Sequence, residues 1–230
     1  MTDLTTLTLP AWVDPAQVRA HAVEHHSVEI KAEWWREAVS SRRLPGTPPA
    51  GELLTRAEVW APADVFTLLW RTLAWGSGRY LRLNSRRLDS VAADVPGCER
   101  LLTRAAELSR RDPAAAFALL RPGGQTAIRS FGPSFFTKFL YFAGGGAPEH
   151  PCAILDRVVA SALHDQCGWT SLNRYGGWPP ETYERYCALL GRWAREHRCT
   201  RGQLELTLFR GERGHVVAGS PTASVSSSTR

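Results

Sequence analysis

Positions 130–143, SFGPSFFTKFLYFA, followed after a glycine-rich break by PCAILDRVV at 151–159, decide how this chain folds. Gly132 stands between Phe131 and Pro133. Glycine permits a φ > 0 turn between two helices, and proline suits the first helical position, which has no amide hydrogen bond to lose. Thr126–Ser130 then reads as the helix before the turn, and Pro133–Ala143 as an apolar helix after it that bears one lysine, Lys138. Beyond the break, Ile154-Leu155 reads as a buried extended pair, and Asp156 opens a helix running to Gln166.

Asp156 has two readings. Aspartate is a favoured N-cap, and most such aspartates do nothing more. The other reading is a carboxylate beside the anomeric carbon of a nucleotide. Breaking an N-glycosidic bond builds positive charge on the sugar, which a nearby carboxylate stabilises. The hairpin 24 positions upstream favours the second reading. Amides exposed at a glycine turn and helix start hold a phosphate, helped by the helix dipole, and such a contact anchors a protein on any duplex. Gly132 and Ser134 at the turn, with Arg129 and Arg157 beside the two helix starts, are the candidate DNA contacts.

Outward from this region the chain reads as all-α. Asp14-Pro15 is an N-cap followed by a first-turn proline, opening a segment that runs to about Val39. Three prolines and two glycines make Arg42–Leu53 a loop. Asp64 precedes an apolar helix over 65–74 that stops at Gly76-Ser-Gly78, and further helices span 98–110, 113–120 and 180–197. The alternating Leu204–Phe209 reads as a short strand, too isolated to support a sheet. The organisation expected is one helical domain over 1–219, with room for two lobes and a cleft between them. A disordered tail of small polar residues is expected at 220–230.

With 230 residues, 43% hydrophobic and 22% charged, the chain has material for a packed core. A net charge of +6 favours an anionic partner such as nucleic acid. Lys31 and Lys138 are the only lysines, which sets Lys138 apart from a random surface charge. The five cysteines, at 98, 152, 167, 187 and 199, are odd in number and lack a Cys-x-x-Cys, against a disulfide scaffold or a zinc site. No apolar run reaches the roughly 18 residues of a membrane span, and the N-terminus is no secretion signal, so a cytoplasmic protein is expected. His25, His26 and His150 lack metal-ligand spacing partners and read as surface residues.

Together the glycine turn, the apolar helix and the Pro-x-x-x-x-Asp order resemble the helix-hairpin-helix DNA glycosylase superfamily. They are most similar to bacterial proteins with an 8-oxoguanine glycosylase fold. The close likeness covers roughly residues 120–166, about a fifth of the chain. It implies a helical fold, base flipping, excision of a modified base from double-stranded DNA, Asp156 as catalytic carboxylate, and a monomer without a membrane. It leaves room for a monovalent cation at the hairpin. Some relatives hold an iron–sulfur cluster on four closely spaced C-terminal cysteines, which the spacings here cannot supply, so no cluster is expected.

This chain departs from the superfamily at one place. Members that also cut the strand carry a lysine two residues after the second hairpin glycine, where Ser134 stands here. Lys138 follows one helical turn later, about 6 Å further along the axis. It reads as a phosphate contact, as a displaced nucleophile, or as a snorkelling helix lysine. The default is a monofunctional glycosylase using Asp156 and water, with lyase activity through Lys138 left open. Trp70 and Trp75 flank the apolar helix and are candidates for the base pocket, although tryptophan more often serves the core. Asn84, Arg86 and Arg87 follow closely, to fill the hole left by a flipped base or to bind phosphate.

The excised base itself is open: an oxidised purine such as 8-oxoguanine, or a hypermodified pyrimidine of phage DNA in a defence role. Two alternatives stand beside the enzyme. A non-catalytic helix-hairpin-helix module would need no carboxylate at 156, and an all-α protein-interaction domain would show no salt-dependent DNA binding.

Overall fold

In the computed structural model, residues 2–211 are described, and the tail expected at 220–230 lies outside them. The fold is all-α apart from one two-stranded ribbon. In chain order come a 3₁₀ turn Pro15–Gln17, α1 (Ala20–Glu24), β1 (Ser27–Glu29), α2 (Ala32–Ser41), β2 (Leu53–Thr55), α3 (Arg56–Trp60), α4 (Val65–Ser77), α5 (Asn84–Ala93) and α6 (Val95–Ser109). α7 (Pro113–Leu120), a 3₁₀ turn Pro122–Gly124, α8 (Pro133–Phe142), α9 (Arg157–Asp165), α10 (Pro180–Glu196) and α11 (Arg201–Arg210) complete it. No helix among the described residues is long and apolar enough to cross a membrane.

Starts are written locally. Asp64 accepts from the Phe66 and Thr67 amides, Asp112 from that of Ala115, and Asp156 from those of Val158 and Val159. Thr55 with Glu58, and Thr200 with Gln203, close capping boxes at α3 and α11.

Four sequence expectations are corrected. The long first helix is broken into the Pro15–Gln17 turn, α1, β1 and α2, because Ser27–Glu29 pairs antiparallel with Leu53–Thr55, Val28 facing Leu54. The strand expected at Leu204–Phe209 is instead inside α11. Its alternation misled because Glu205 and Thr207 are as buried as the leucines between them, so the pattern marks no inner and outer face. Thr126–Ser130 is turn, not helix. Ser130 adopts φ 64, and the helix before the hairpin is α7, which the glycines of Pro122–Gly124 end early. Gly132 itself is extended (φ −78, ψ 174), so the left-handed residue of the turn is Ser130. α5, with its short polar first turn and no side-chain cap, carried no helix signal in sequence.

The core is built on aromatic side chains. Phe117 of α7 meets Phe136 of α8 at 4.6 Å between ring centroids and Tyr183 of α10 at 5.0 Å, joining three helices behind the hairpin. α4 lies closely against α8 at Gly76, where a Cβ would come within 3.0 Å of the Phe135 ring and 3.1 Å of Lys138 Cδ. That approach sets the wall beside Lys138.

Candidate active site

The segment Cys152–Leu155 is wholly buried and lies outside any helix or strand, so its carbonyls need other partners. Hydroxyls supply them. Tyr183 donates to Ala153 O (3.0 Å) and Tyr186 to Ile154 O (2.6 Å), both from α10. Thr137 of α8 takes Leu155 at both ends, lying 3.0 Å from its carbonyl and accepting from its amide at 3.2 Å. Three hydroxyls thus fix the backbone that delivers Asp156.

Asp156 is nearly buried at the start of α9. Its Oδ1 accepts from the amides of Val158 (3.0 Å) and Val159 (3.1 Å), and its Oδ2 from Lys138 Nζ (2.9 Å). The two side chains are only 8% (Lys138) and 12% (Asp156) exposed. Burial alone raises the Asp156 pKa. The charge and hydrogen bond of Lys138, then the Val159 and Val158 amides, outweigh it and hold the carboxyl below its usual range. Asp156 is therefore both an N-cap and an ion-pair partner, ionised at neutral pH.

Lys138 runs back along its helix, as helical side chains do, and its amine also donates to Ser134 O at 2.9 Å. The amine belonging to position 138 thus lies against the turn that begins at Ser134. It is inside, on a carboxylate, and does not reach out to solvent as a snorkelling side chain does.

A second buried pair stands behind the first. Arg56 Nη1 donates to Glu205 at 2.6 Å, with side chains 0% and 1% exposed, and the Arg56 guanidinium also reaches Tyr141 and His26. Burial raises the Glu205 pKa, Arg56 opposes that, and Asp156 and Lys138 contribute with opposite signs, so the two pairs share one electrostatic neighbourhood. Nothing in the sequence spacing of Arg56, Glu205, Tyr183 or Tyr186 could have gathered them here.

Of the other expected site residues, Arg86, Arg129 and Arg157 are exposed, and Gly132 and Ser134 are half-exposed at the α8 start. A Cβ built on Gly132 meets nothing within 4 Å, so its backbone is open to an approaching group. Two residues are placed differently from their sequence reading. Trp70 is wholly buried, stacks on Phe66 and donates its Nε1–H to Pro45 O at 2.8 Å, so it serves the core and has no face for a base. Asn84 is also wholly buried, with Nδ2 on Ser77 Oγ at 3.0 Å and its carbonyl oxygen on Arg87. Arg87 in turn donates to Ser130 O at 2.8 Å and lies 3.8 Å over the Phe135 ring. This network braces the left-handed turn from within and turns Asn84 and Arg87 inward. The surface of the α4–α5 loop is given to Tyr80, 84% exposed, and Leu83, exposed at φ 66. Trp75 is buried too, its ring met by Arg56, His26 and Phe142, and it directly precedes Gly76. His150 is buried, with Nε2 2.8 Å from Leu140 O, and His26 is half-buried, so neither is a plain surface residue.

Among the described residues, no three His, Cys, Asp or Glu side chains converge as a metal site requires. The arrangement offers a fixed carboxylate, an amine on it, and a start of α8 without a side-chain cap, with exposed arginines nearby. That set can place anionic backbone at a helix start and negative charge beside a sugar.

The chain matches a family described as "Putative 8-oxoguanine DNA glycosylase OGG-like protein" over residues 21–209. No curated protein and no solved structure matches it.

Proposed function

Because this chain belongs to the 8-oxoguanine DNA glycosylase OGG-like family, we propose that it excises a modified base from double-stranded DNA, with Asp156 and Lys138 as the catalytic pair. The substrate class is an oxidised purine such as 8-oxoguanine, and the enzyme acts as a monomer. The single observation that carries this reading is the buried 2.9 Å contact of Lys138 with Asp156 at the start of α9. Burying two charges is costly unless a function retains them, and a module that only grips phosphate has no use for the pair.

The chemistry follows from the charges. As the glycosidic bond lengthens, the sugar becomes cationic. An intact ion pair is neutral overall and stabilises that cation little. When the Lys138 ammonium passes its proton to the departing base, the Asp156 carboxylate stands uncompensated beside the cation. The anomeric carbon then takes water, whose proton passes to the freed Lys138 amine, leaving an abasic site and restoring the ion pair. Oδ1, held by two amides, keeps the carboxylate aimed throughout.

The contact of Nζ with Ser134 O supports a second route. The freed amine attacks the same carbon, the sugar ring opens, and a Schiff base forms from which the strand can be cut. The exposed arginines 86, 129 and 157 and the amides at Gly132 and Ser134 hold the phosphates, and Tyr80 and Leu83 enter the stack where the base has left.

Duplexes each bearing one modified base, together with glucosylated T-even phage DNA, test the assignment, with released bases identified by mass spectrometry. Release by the wild type and not by Asp156→Asn is expected. Release from phage DNA alone assigns a hypermodified pyrimidine and a defence role. Tight duplex binding without any release returns the chain to a non-catalytic helix-hairpin-helix module.

A further inference from the structure

The wall beside Lys138 and Asp156 carries hydrogen-bond donors that the ion pair does not use. Trp75 precedes Gly76, whose face lies against Lys138. Its ring is met edge-on by His26, with centroids 5.5 Å apart, and the Arg56 guanidinium lies 5.1 Å over it. Arg56 also donates from Nε to Nδ1 of His26 at 3.3 Å.

That last bond fixes the histidine. Arginine keeps its protons, so Nδ1 must accept, and the proton of a neutral ring resides on Nε2. The ring is neutral near pH 7, since burial and then the charges of Arg56 and Arg210 lower its pKa to about 4. Tautomer exchange is blocked, because a proton on Nδ1 would face the Arg56 N–H. His26 is half-buried, and of its two ring nitrogens Nδ1 is the one engaged by Arg56.

Phe209 of α11 closes the arrangement. Its ring lies 6.1 Å from that of His26, and it lines a groove together with Arg157 and Val158, the two residues directly after Asp156. Two further donors of this wall, Arg56 Nη2 and Trp75 Nε1, are buried without a partner. Buried donors left unpaired call for an acceptor that arrives with a ligand or a water. Aromatic faces and unfilled N–H donors suit a planar group rich in carbonyl oxygens.

We propose that His26 and Phe209 seat the flipped base above the buried Trp75, with His26 Nε2–H donating to a carbonyl oxygen on its edge, so that the site selects keto bases over their amino counterparts. The proposal rests on the base-excision reading above. An amino group at the same ring position would set donor against donor in a partly desolvated site, the situation in which enzymes discriminate most sharply.

The test compares two substrate pairs that differ by carbonyl against amino at one carbon: 8-oxoguanine with 2,6-diamino-8-oxopurine, and 5-hydroxyuracil with 5-hydroxycytosine. Single-turnover excision from each duplex is measured for the wild type, His26→Phe and His26→Gln. The wild type is expected to favour the keto member of whichever pair it cleaves. His26→Phe keeps a ring and removes the donor, and should lower the keto-to-amino ratio about tenfold or more, the worth of one hydrogen bond. His26→Gln accepts from Arg56 and still donates outward, so it should retain most of the ratio, which a purely structural role for His26 does not predict. An unchanged ratio in His26→Phe, a wild-type preference for the amino member, or release only from glucosylated cytosine DNA overturns the inference and leaves base excision standing. No release from any duplex by the wild type overturns the excision reading itself, and this inference with it.

Discussion

The hydroxyl of Tyr186 donates to the carbonyl oxygen of Ile154 at 2.6 Å, tying the long helix α10 to the backbone that reaches Asp156 two residues later. A buried carbonyl outside any helix or strand has few other partners. Tyr186→Phe leaves it unsatisfied at a cost of about 1–3 kcal/mol. Excision by the folded variant should fall as well, because the carboxylate loses part of its frame. Urea unfolding and single-turnover rates at a temperature where the variant is folded check the two effects separately.

Asp156→Asn separates the cap from the charge. Asparagine caps a helix as well as aspartate, so the start of α9 should survive. Lys138 then lacks its anion in a nearly buried site, and breaking such a pair costs about 3–5 kcal/mol at most. Excision should fall by about 10²-fold or more, the scale on which removing one transition-state electrostatic contact acts. Duplex binding should persist, and a gel-shift titration beside the excision assay reads both.

Lys138 decides between water and amine. If the amine attacks, borohydride reduction during turnover links protein to DNA, and Lys138→Gln abolishes the link. If water attacks, no link forms with either protein, and the product is an abasic site in an uncut strand. Lys138→Gln should slow base release on both routes, since each needs the proton that the ammonium supplies.

Acid should weaken the fold in two stages. The folded pKa of His26, about 4, lies below its ordinary 6.5, so between these values the unfolded chain binds a proton that the folded chain refuses. Stability from this source is complete above pH 6.5 and declines as the pH falls toward 4. Asp156, also lowered, adds a loss at still lower pH as its carboxylate is protonated and its contact with Lys138 fails. The pKa of His150 is lowered too, by burial first, so the His26 share is the difference in slope between wild type and His26→Phe in urea unfolding at pH 5 and pH 7.5.

Binding to duplex should be steeply salt-dependent. Arg157, exposed directly after Asp156, is the proposed phosphate contact to test first. Arg157→Ala is expected to weaken binding alike for all sequences and to reduce the slope of log K against log salt by about 1. An unchanged slope would place this arginine off the backbone path.

Much of this protein is written in local sequence. Helix starts were legible where an Asp side chain needs only its own next three amides: Asp64, Asp112 and Asp156 each mark a start that the fold contains. The Gly132-Pro133 junction marked α8 for the same reason, and Asp156 stood out because a carboxylate at a helix start after a buried extended pair is a local pattern.

Where a local rule has two outcomes, tertiary packing chose. Leu204–Phe209 alternates like a strand, yet it is helix because Arg56, far away in sequence, neutralises Glu205 inside the core. Asn84 and Arg87 looked free to meet DNA, and a buried network with Ser77 and Ser130 holds them inward instead. The position of Lys138 on a helix was clear from the sequence. That its amine turns back to Ser134 O and onto Asp156 follows only from how α8 lies against α4 and α9. Caps and turns are settled by neighbours along the chain, and the sequence alone determines them. Burial of charge is settled by whatever the folded chain brings within hydrogen-bonding reach, and only the tertiary structure decides it.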